Sequence, residues 1–576
     1  MKRNLNFKKE FLTLLLMLMI TAYSSELFSQ RKVGLFLNDS AYTYNGYTLF
    51  APKHYTSTYL INNQGKLVHK WSNSQYAPGQ SVYITPTGHL LRACMIQGQI
   101  GTGGGEGGRV EEWTWGDTLI WQFTYSSPNY IAHHDIKRLP NGNILMLAVE
   151  KKTVAQCLAS GFDQSRFQQE IITKGYMVPD YIIEVQPIYP TGGNIVWEWH
   201  VWDHLIQDFD STKLNFGNVA SHPELVDCDG DGRLLPCFWN HMNAIAYNSR
   251  FDQIILSVRG NSEVWVIDHS TTTQQAASHT GGRYGHGGDL LYRWGNPACY
   301  KIGNSSTQKL FEQHDAQWID SLYPGSGNML VFNNGVNRGY SSVDQFVPPV
   351  DSLGFYYRAP NSAFGPASSI WIYTATPPSS MYASDISGAQ RLPNGNTLIC
   401  YGTLGNFLEV TPGGQLVWKY VNPVINTGPL YYDDTIPHDP THPTETMNSE
   451  FRVQRYPPTF SGLIGKDLTP GTFIELYHVG IREEGSGIPE NYSLQQNYPN
   501  PFNSSSKFKF DISKSGDVKI RVYDVQGREV QTVVNERLNA GKYEVMFDGG
   551  GLTSGIYFYR LSAGNFTETK RMILLK

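Results

Sequence analysis

Short apolar runs that alternate with polar residues recur along this chain, and turns rich in Gly, Pro and Asn separate them. Two kinds of segment alternate between about residues 55 and 475. The first kind leaves a turn and ends in Trp or another aromatic residue, and all but one of its copies begin with Gly. The copies are GKLVHKW (65–71), GDTLIW (116–121), GNIVWEW (193–199), GDLLYRW (288–294), SIWIY (369–373) and GQLVWKY (414–420). An alternation of period two predicts β-strands.

The second kind of segment is a strand that runs into a turn and then into a further strand. The clearest copies carry a Pro-Asn-Gly turn, which is typical of a β-hairpin. The copies are SVYITPTGHLL (81–91), HDIKRLPNGNILML (134–147), HMNAIAYNSRFDQIILSV (241–258), HDAQWIDSLYPGSGNMLVF (314–332), GAQRLPNGNTLIC (388–400) and FRVQRYPPTFSGLI (451–464). We therefore expect each of these segments to form a hairpin.

The interleaving of the two kinds, six copies of each, predicts an all-β fold. Four-stranded units with an aromatic residue at a fixed place indicate a six-bladed β-propeller, which we assign to residues 31–480. A jelly roll and a solenoid are the alternatives, and the irregular spacing disfavours a solenoid because its units must stack at near-constant length. The long insertions at 151–180, 205–238 and 335–366 are expected to be loops on one face.

Composition narrows the class of protein further. Charged residues make up only 16% of the 576 residues and aromatic residues 13%, with 56 Gly and 31 Pro. This mixture favours short strands with tight turns over a coiled coil, a helical bundle or bulk disorder. A formal net charge of −5 gives no electrostatic reason to expect nucleic-acid binding.

The N-terminus predicts export. Residues 1–10 (MKRNLNFKKE) are basic and residues 11–20 (FLTLLLMLMI) are apolar, which is the pattern of a secretory signal peptide, assigned to 1–30. The apolar run is shorter than the ~20 residues of a transmembrane helix, although an N-terminal membrane anchor is the alternative. No other segment is long and apolar enough to span a bilayer. In an exported chain the six cysteines could pair, and Cys228 and Cys237, the closest pair in sequence, are plausible partners.

The C-terminal part, residues 491–576 after a linker at 481–490, has a pattern of its own. Its motifs are NYPNPFN (497–503), YDVQGREV (523–530) and GIYFYRL (555–561), and it ends in TKRMILLK. It resembles the type A C-terminal sorting domain carried by cargo of the type IX secretion system of Bacteroidetes. This resemblance implies a small Ig-like β-sandwich that the secretion machinery recognises at the outer membrane, and an extracellular or cell-surface location. An ordinary Ig-like module is the alternative.

Three histidines take the same place when the second kind of segment is aligned on its turn. His134, His241 and His314 each begin the strand that precedes the turn. The remaining copies carry other residues there: Gln80, Ser387 and, approximately, Phe451. The first strand of each propeller blade lines the central channel, so we expect the three imidazoles to converge in one funnel.

Arg259 lies on the strand that follows the His241 turn. A half-buried Arg commonly pairs with a carboxylate, but beside three imidazoles it would instead form a pocket for an anion. Three histidines alone suit zinc. A fixed cation repels a metal ion and favours a tetrahedral oxyanion such as sulfate or phosphate.

The same residues carry a family resemblance. HHDIKRLPNGN, the block WNHMNAI to ILSVRGNSEVWVID, and QHDAQW resemble bacterial aryl-sulfate sulfotransferases, which are six-bladed propellers, and the similarity extends over most of 33–475. The resemblance implies that His314 is transiently sulfated and that His134, His241 and Arg259 stabilise the sulfuryl group. His133 is adjacent to His134, and either could be the one that points inward.

The resemblance also implies an activity. A sulfuryl group would move from a phenolic sulfate ester to a phenol by a ping-pong mechanism, without a cofactor. The Gly-rich run GTGGGEGG (101–108) lacks the Lys-Ser/Thr ending of a phosphate-binding loop, so a nucleotide sulfate donor is not expected. The alternatives are a sulfatase that uses water as acceptor and a surface propeller that binds a ligand without turnover.

Two weaker signals remain. Asp227, Asp229 and Asp231 match the start of a calcium loop, but Phe238 stands where an EF-hand requires Glu, so the candidates are a shorter calcium turn and a plain polar turn. The segment WHVWDH (199–204), with its two histidines, is expected at the substrate mouth or in a surface loop.

Overall fold

The computed structural model describes residues 31–575 apart from 99, 102, 106, 477–481, 484–486, 504, 550 and 551. The predicted signal peptide, 1–30, and part of the predicted linker lie outside the described residues. The chain divides into two compact units between Glu475 and Leu476.

The first unit is built almost entirely from strands, whose bounds follow. They are β1 (Gly34–Asn38), β2 (Tyr47–Phe50), β3 (Thr58–Asn62), β4 (Leu67–Trp71), β5 (Pro78–Ile84), β6 (Leu90–Met95), β7 (Gly108–Trp113), β8 (Leu119–Thr124), β9 (Tyr130–Arg138), β10 (Ile144–Glu150), β11 (Lys152–Thr153), β12 (Tyr176–Met177), β13 (Asp180–Pro187), β14 (Gly193–His200), β15 (Leu205–Ile206), β16 (Val226–Asp227), β17 (Met242–Asn248), β18 (Gln253–Val258), β19 (Glu263–Asp268), β20 (Tyr292–Trp294), β21 (His314–Trp318), β22 (Met329–Asn333), β23 (Ser342–Phe346), β24 (Trp371–Tyr373), β25 (Gly388–Arg391), β26 (Thr397–Tyr401), β27 (Asn406–Val410), β28 (Leu416–Val421), β29 (Val424–Ile425), β30 (Gly428–Pro429) and β31 (Gln454–Tyr456).

In the described part of this unit, six antiparallel sheets have four or more strands. In order along the chain they are sheet I (β31-β2-β3-β4), sheet II (β5-β6-β7-β8), sheet III (β9-β10-β13-β14), sheet IV (β17-β18-β19-β20), sheet V (β21-β22-β23-β24) and sheet VI (β25-β26-β27-β28-β1). Each of the six aromatic-ended segments supplies the fourth strand of one sheet. The predicted all-β, propeller-like organisation is confirmed.

One predicted hairpin is wrong. The segment 451–464 contains a single strand, β31, which pairs with β2 (Tyr47 opposite Tyr456) and is followed by a 3-10 turn at Ser461–Leu463. The end of the unit therefore completes the sheet begun by its start. β1 likewise joins β28, with Gly34 opposite Val421, so both ends of the unit are anchored in sheets.

One tryptophan in each fourth strand has a shared role. Its indole N–H donates to a backbone carbonyl in the turn before the fourth strand of the next sheet. The six bonds are Trp71 to Thr114 (3.0 Å), Trp121 to Gly192 (2.8 Å), Trp199 to Gly288 (2.7 Å), Trp294 to Pro366 (2.8 Å), Trp371 to Pro412 (2.9 Å) and Trp418 to Asn63 (2.8 Å). The last bond returns from sheet VI to sheet I. The six bonds therefore link the sheets in a closed cycle. This cycle supports the prediction of six blades, which stays a prediction.

Apolar cores fill the space between consecutive sheets. One core joins sheets III and IV around Trp199 and Ile245, and another joins VI and I around Trp418 and Tyr59. Because sheet IV is covered on both faces, its middle strands, β18 and β19, are buried along their whole length. Continuous apolar runs are expected of strands buried on both faces.

Helices are confined to short pieces between the strands. They are α1 (Val154–Ala159), α2 (Gln169–Lys174) and α3 (Thr273–Ala276), and 3-10 turns lie at Gln164–Arg166, Val201–His204, Val219–Ser221, Pro297–Tyr300, Ser305–Thr307, Pro378–Ser380, Gly402–Leu404 and Ser461–Leu463. None of the helices in the described residues has the length and apolarity that crossing a membrane requires. All six cysteines are buried free thiols, so the predicted pairing of Cys228 with Cys237 is wrong.

The second unit is a small β-sandwich, as predicted. Its strands are β32 (Arg482–Glu483), β33 (Ser493–Leu494), β34 (Ser505–Ile512), β35 (Gly516–Tyr523), β36 (Glu529–Leu538), β37 (Gly541–Asp548), β38 (Gly555–Ala563) and β39 (Phe566–Leu574). They form two four-stranded sheets, β32-β37-β34-β33 and β36-β35-β38-β39. Phe508 of one sheet stacks on Tyr559 of the other at 4.1 Å between ring centroids, inside a shared apolar core.

Candidate functional site

The first strands of sheets III, IV and V are bent where the candidate histidines lie. The strand pairing shifts register beside each of them, as in a β-bulge. His134 and His241 have φ of 49° and 51°, and Asp315, next to His314, has 58°. Residues with positive φ and bulges are concentrated at functional sites because they redirect a side chain at a cost in strain.

The bend brings the predicted imidazoles together. The ring centroids of His134 and His241 are 5.1 Å apart. The ring of Phe451 lies 5.9 Å from His134 and 6.4 Å from His314, so it connects the two histidines. Phe238 lies 4.3 Å from His241 and completes an aromatic wall. We call His134, His241 and His314 the imidazole cluster.

The neighbouring histidine, His133, points elsewhere. Its Nε2 lies 3.1 Å from Oδ1 of Asp180, and its side chain is fully buried. Its Nδ1 lies 2.8 Å from Nδ1 of His134, so one of these two nitrogens donates to the other. His134 is therefore the residue that faces the cluster, and His133 supports it from behind.

Asn334 fixes the orientation of His314. The amide Nδ2 of Asn334 donates to the carbonyl oxygens of Ala383 (3.0 Å) and Ile386 (3.1 Å), so its Oδ1 must be the atom that faces His314. That oxygen lies 2.8 Å from Nδ1 of His314. A carboxamide oxygen only accepts, so Nδ1 carries the hydrogen and Nε2 keeps its lone pair.

The cluster is electrically neutral at neutral pH. Burial, and then the positive charge of Arg259, lowers the pKa of His314 to about 3. Burial also holds the pKa of His241 well below its usual value, with Arg259 again the next cause. The pKa of His134 is likewise well below its usual value, because of burial and the neighbouring histidines. Neutral imidazole is the form that can act as a nucleophile.

Arg259 lies at the edge of the cluster and has a carboxylate partner. Its Nη2 is 2.5 Å from Oε2 of Glu312, and both side chains are about one-quarter exposed. Its backbone N–H donates to the carbonyl oxygen of His241 at 3.1 Å. Its Nε is buried and has no hydrogen-bond partner among the described residues. Arg259 therefore pairs with a carboxylate, which was the alternative to an anion pocket, and its backbone lies against His241. The anion pocket stays a prediction.

A buried ion network that the sequence patterns did not predict lies beside the cluster. Arg452 contacts Asp135 at 3.0 Å and Asp315 at 3.0 Å, and its Nη1 also donates to Tyr83 at 2.7 Å. Burial raises the pKa of Asp315 to about 7, against the opposing charge of Arg452. The two carboxylates adjacent to His134 and His314 therefore hold an arginine rather than an imidazole.

The two carboxylates also connect neighbouring sheets. Oδ2 of Asp135 accepts from the backbone N–H of Ile245 at 3.0 Å, and Oδ2 of Asp315 accepts from that of Ala389 at 2.9 Å. Asn243 spans the next interface, where its Nδ2 donates to the carbonyl oxygen of Gln313 at 2.8 Å. These bonds position the strands that carry the histidines.

Gly103 and Gly105 of the Gly-rich run lie against the cluster. A Cβ at Gly105 would come within 2.0 Å of Cε1 of His134, and one at Gly103 within 2.6 Å of the Phe238 ring. Nε2 of Gln80 donates to the carbonyl oxygen of Gly104 at 3.0 Å and holds the run in place. Glycine at these two positions is thus explained by close approach to the rings of His134 and Phe238, which the sequence alone did not reveal.

Two cavities lie near these residues. One, of about 340 Å³, is lined by Glu312, Arg233 and Phe311. A larger one, of about 690 Å³, is lined by Asp315, Arg452 and residues farther along the strands, not by the imidazole cluster.

The contacts of the aspartates in the predicted calcium turn argue against calcium binding there. Asp231 pairs with Arg233 at 2.9 Å and accepts from Asn296 at 2.9 Å. Asp227 is buried, which raises its pKa to about 7, and Nζ of Lys301 lies 3.8 Å from its Oδ2. The calcium turn stays a prediction without further support.

Comparisons with known proteins agree with the site. The family described as Arylsulfotransferase (ASST) matches residues 120–425, which include the imidazole cluster and Arg259. The family described as Secretion system C-terminal sorting domain matches residues 496–575. No curated protein matches the chain.

Solved structures give only distant similarities. A protein of unknown function from Bacteroides caccae is 12% identical over 65% of this chain and 93% of its own, with a TM-score of 0.34. A catalytically inactive virginiamycin B lyase from Staphylococcus aureus is 7% identical over 68% of this chain and 89% of its own, with a TM-score of 0.29.

The arylsulfotransferase family match alone covers more than half of the chain, and the sorting-domain match covers most of the second unit. The chain belongs to the arylsulfotransferase family, and its type IX sorting domain marks it as a protein secreted to the cell surface or the exterior.

Proposed function

We propose that the protein is an aryl-sulfate sulfotransferase that moves a sulfuryl group from a phenolic sulfate ester to a phenol through His314. The observation that carries this proposal is the convergence of three neutral imidazoles and one guanidinium in a single cluster within the family match. No nucleotide donor or cofactor takes part.

In the first half-reaction, Nε2 of His314 attacks the sulfur of the donor. An N–S bond forms, the bond between sulfur and the aryl oxygen breaks, and a phenolate leaves with that electron pair. In the second half-reaction, the oxygen of an acceptor phenol attacks the same sulfur and the N–S bond breaks. The proton lost by the acceptor balances the proton that the first phenolate takes up. The free lone pair on Nε2, secured by Asn334, supports this assignment.

The remaining residues stabilise the charge on the sulfuryl oxygens. Preorganised donors at such positions are usually the largest contribution to catalysis. Arg259 supplies a guanidinium whose Nε is unpaired, and Glu312 would yield to the anion. His134 and His241 donate as neutral N–H groups. His133 lies between Nδ1 of His134 and Oδ1 of Asp180 and so fixes the orientation of the His134 ring.

The surroundings suit an aromatic substrate. The rings of Phe238 and Phe451 flank the cluster, and the 340 Å³ cavity adjoins Glu312. Aromatic rings prefer such stacked or edge-on partners.

The direct test uses a chromogenic phenyl sulfate with and without a phenol. With the phenol, we expect continuous turnover. Without it, we expect release of one equivalent of the chromophore per protein, together with the mass of one sulfo group on the peptide that contains His314. The His314→Ala variant should lose both signals, whereas the exposed His222→Ala variant should keep them.

Other results would replace the proposal. Continuous release without a phenol would show a sulfatase. A folded protein with no release in either condition would indicate a propeller that binds a ligand without turnover.

The pH dependence of the first half-reaction is a separate prediction. Protonation of Nε2 removes the nucleophile, so the rate should fall as the pH drops through the pKa of His314, which burial lowers to about 3. The rate should therefore stay nearly constant between pH 8 and about pH 5, whereas an ordinary imidazole would titrate near 6.5. Single-turnover release of the chromophore measures this, and a midpoint near 6.5 would contradict it.

A further inference from the structure

A second group of metal-ligating side chains lies away from the imidazole cluster. His204 follows β14, and His279 and Asp289 lie at the two ends of a loop between α3 and β20. Nδ1 of His204 and Nδ1 of His279 are each 2.8 Å from the same oxygen, Oδ1 of Asp289. The three ligand atoms lie within 4.8 Å of one another. We call these residues the His204 cluster.

The contacts of His204 require a positive charge beside Asp289. Its Nε2 lies 2.8 Å from the carbonyl oxygen of Ala276, which can only accept, so Nε2 carries a hydrogen. A neutral imidazole then has a lone pair on Nδ1, and that lone pair faces a carboxylate oxygen. Two lone pairs at 2.8 Å repel each other in a site where His204 is fully buried. A positive charge must lie on the imidazole or between the two atoms.

The loop that carries the other two residues is rich in glycine, and most of it is at least partly exposed. Within 277–288, Tyr284 is the only non-glycine residue that is buried. Four of its glycines have positive φ: Gly281, Gly282, Gly285 and Gly287. Glycine loses more conformational entropy on ordering than any other residue, and this loop buries little apolar surface in return. A contact that fixes His279 and Asp289 to His204 would hold the loop at both ends.

We infer that the His204 cluster binds one divalent transition-metal ion of the zinc class. Two imidazole nitrogens and one carboxylate oxygen are a typical zinc donor set. A ligating imidazole usually donates its other N–H to a carbonyl or carboxylate oxygen, as His204 does to Ala276. In a tetrahedral site with bonds of about 2.0 Å, ligand atoms lie roughly 3.3 Å apart. The present 2.8 Å separations would therefore widen by only a few tenths of an ångström.

The fourth coordination position has room. A cavity of about 700 Å³ is lined by His279 and Asp289, and by His222, His286 and Glu224. A water molecule from this cavity would complete four-coordination. The site is outside the proposed sulfuryl-transfer chemistry, since none of its residues belongs to the imidazole cluster.

The test is a Co²⁺ titration of the full chain, purified without a histidine tag and treated with a chelator. We expect one equivalent to bind with the visible absorption of tetrahedral Co²⁺, and Zn²⁺ to displace it. His279→Ala should weaken binding by at least ~100-fold, since loss of even a supporting contact costs 10- to 100-fold. His279 is mostly exposed, so this variant should fold.

Matched variants decide between the outcomes. His222→Ala removes an exposed histidine that lines the same cavity and should bind Co²⁺ normally. His241→Ala should also bind normally, which separates this site from the imidazole cluster. Loss of the signal in His241→Ala, persistence in His279→Ala, or no binding by the wild type would overturn the proposal and leave a cluster held by ion pairing alone. As a second readout, Zn²⁺ should slow hydrogen exchange in 277–288 of the wild type but not of His279→Ala.

Discussion

At the scale of single residues, the reactivity of His314 depends on which of its nitrogens carries the hydrogen. Asn334 settles this because its own amide is held by the carbonyl oxygens of Ala383 and Ile386. The side chain of Asn334 bonds to His314 and to two backbone carbonyl oxygens, so we regard it as a positioning residue. The same principle of orientation through a second residue relates Asp180 and His133 to His134.

Replacement of Asn334 tests this dependence. Asn334→Leu removes the acceptor, and misorientation of the nucleophile should lower the rate of the first half-reaction by roughly 10²-fold. Asn334→Asp keeps an acceptor for Nδ1, so it should retain most of the rate, and its acid limb should move to higher pH because a carboxylate favours the protonated imidazole. Single-turnover rates against pH measure both effects. Equal losses in the two variants, with no shift in the acid limb, would show a purely structural role.

The approach of the Gly-rich run to His134 gives a second residue-scale prediction. Because a Cβ at Gly105 would lie 2.0 Å from the imidazole, Gly105→Ala must displace either the loop or His134. We expect kcat/KM for the donor to fall by roughly 10²-fold, since displacements of about 1 Å have that cost. Gly101→Ala is the control, because its Cβ would meet only Nζ of Lys174 at 3.4 Å. Steady-state kinetics of both variants measure this, and equal activities would contradict it.

Sequence patterns located the proposed site residues but not the residues that support them. His134, His241 and His314 stand at one repeated place in an alignment on turns, so their convergence follows from the repeat; Arg259 lies on the strand after the His241 turn. Asn334 lies outside that pattern, and Arg452 lies in it, directly after Phe451, with no sign of its role. Arg452 contacts Asp135, which is 317 positions away, and Asn334 contacts Ile386, which is 52 positions away. Spacing along the chain carries no information on such contacts.

At the scale of elements, the repeated Trp explains how one sheet is joined to the next. Each indole N–H satisfies a carbonyl oxygen in a neighbouring sheet, and the cores between sheets bury the rings. The sequence predicted the fixed aromatic position but not its partner. It also predicted a sixth hairpin at 451–464, which failed because β31 pairs with β2 at the other end of the unit. A strand that closes a ring has its partner far away in sequence.

Removal of one such bond should destabilise the first unit. Trp418→Phe keeps most of the buried ring but leaves the carbonyl oxygen of Asn63, in a buried bond, without a donor. The expected loss is about 1–3 kcal/mol in the free energy of unfolding. Trp371→Phe is the matched control, because water can replace its bond to the exposed Pro412 carbonyl. Denaturant unfolding measures both, and an equal effect of the two substitutions would contradict the argument.

At the scale of the whole molecule, the two units have separate tasks. The first carries the imidazole cluster, and the second is the sorting domain. The first unit needs its last residues: the backbone N–H of Leu67 donates to the carbonyl oxygen of Thr472, Ile474 is in an apolar core, and Glu475 pairs with Arg31 at 2.9 Å. These contacts define where a truncation should be tolerated.

A chain that ends at Leu476 should therefore keep sulfotransferase activity and the thermal midpoint of the first unit. A chain that ends at 470 loses the three contacts, and the burial of Ile474 alone is worth about 2 kcal/mol, so its midpoint should fall by several degrees. In a Bacteroidetes host, the chain that ends at Leu476 should cross the inner membrane but stay off the cell surface, because the sorting domain is absent. Calorimetry and cell fractionation measure these outcomes. If the chain that ends at Leu476 were inactive while folded, the catalytic machinery would have to include the second unit; if it still reached the surface, the sorting assignment would be wrong.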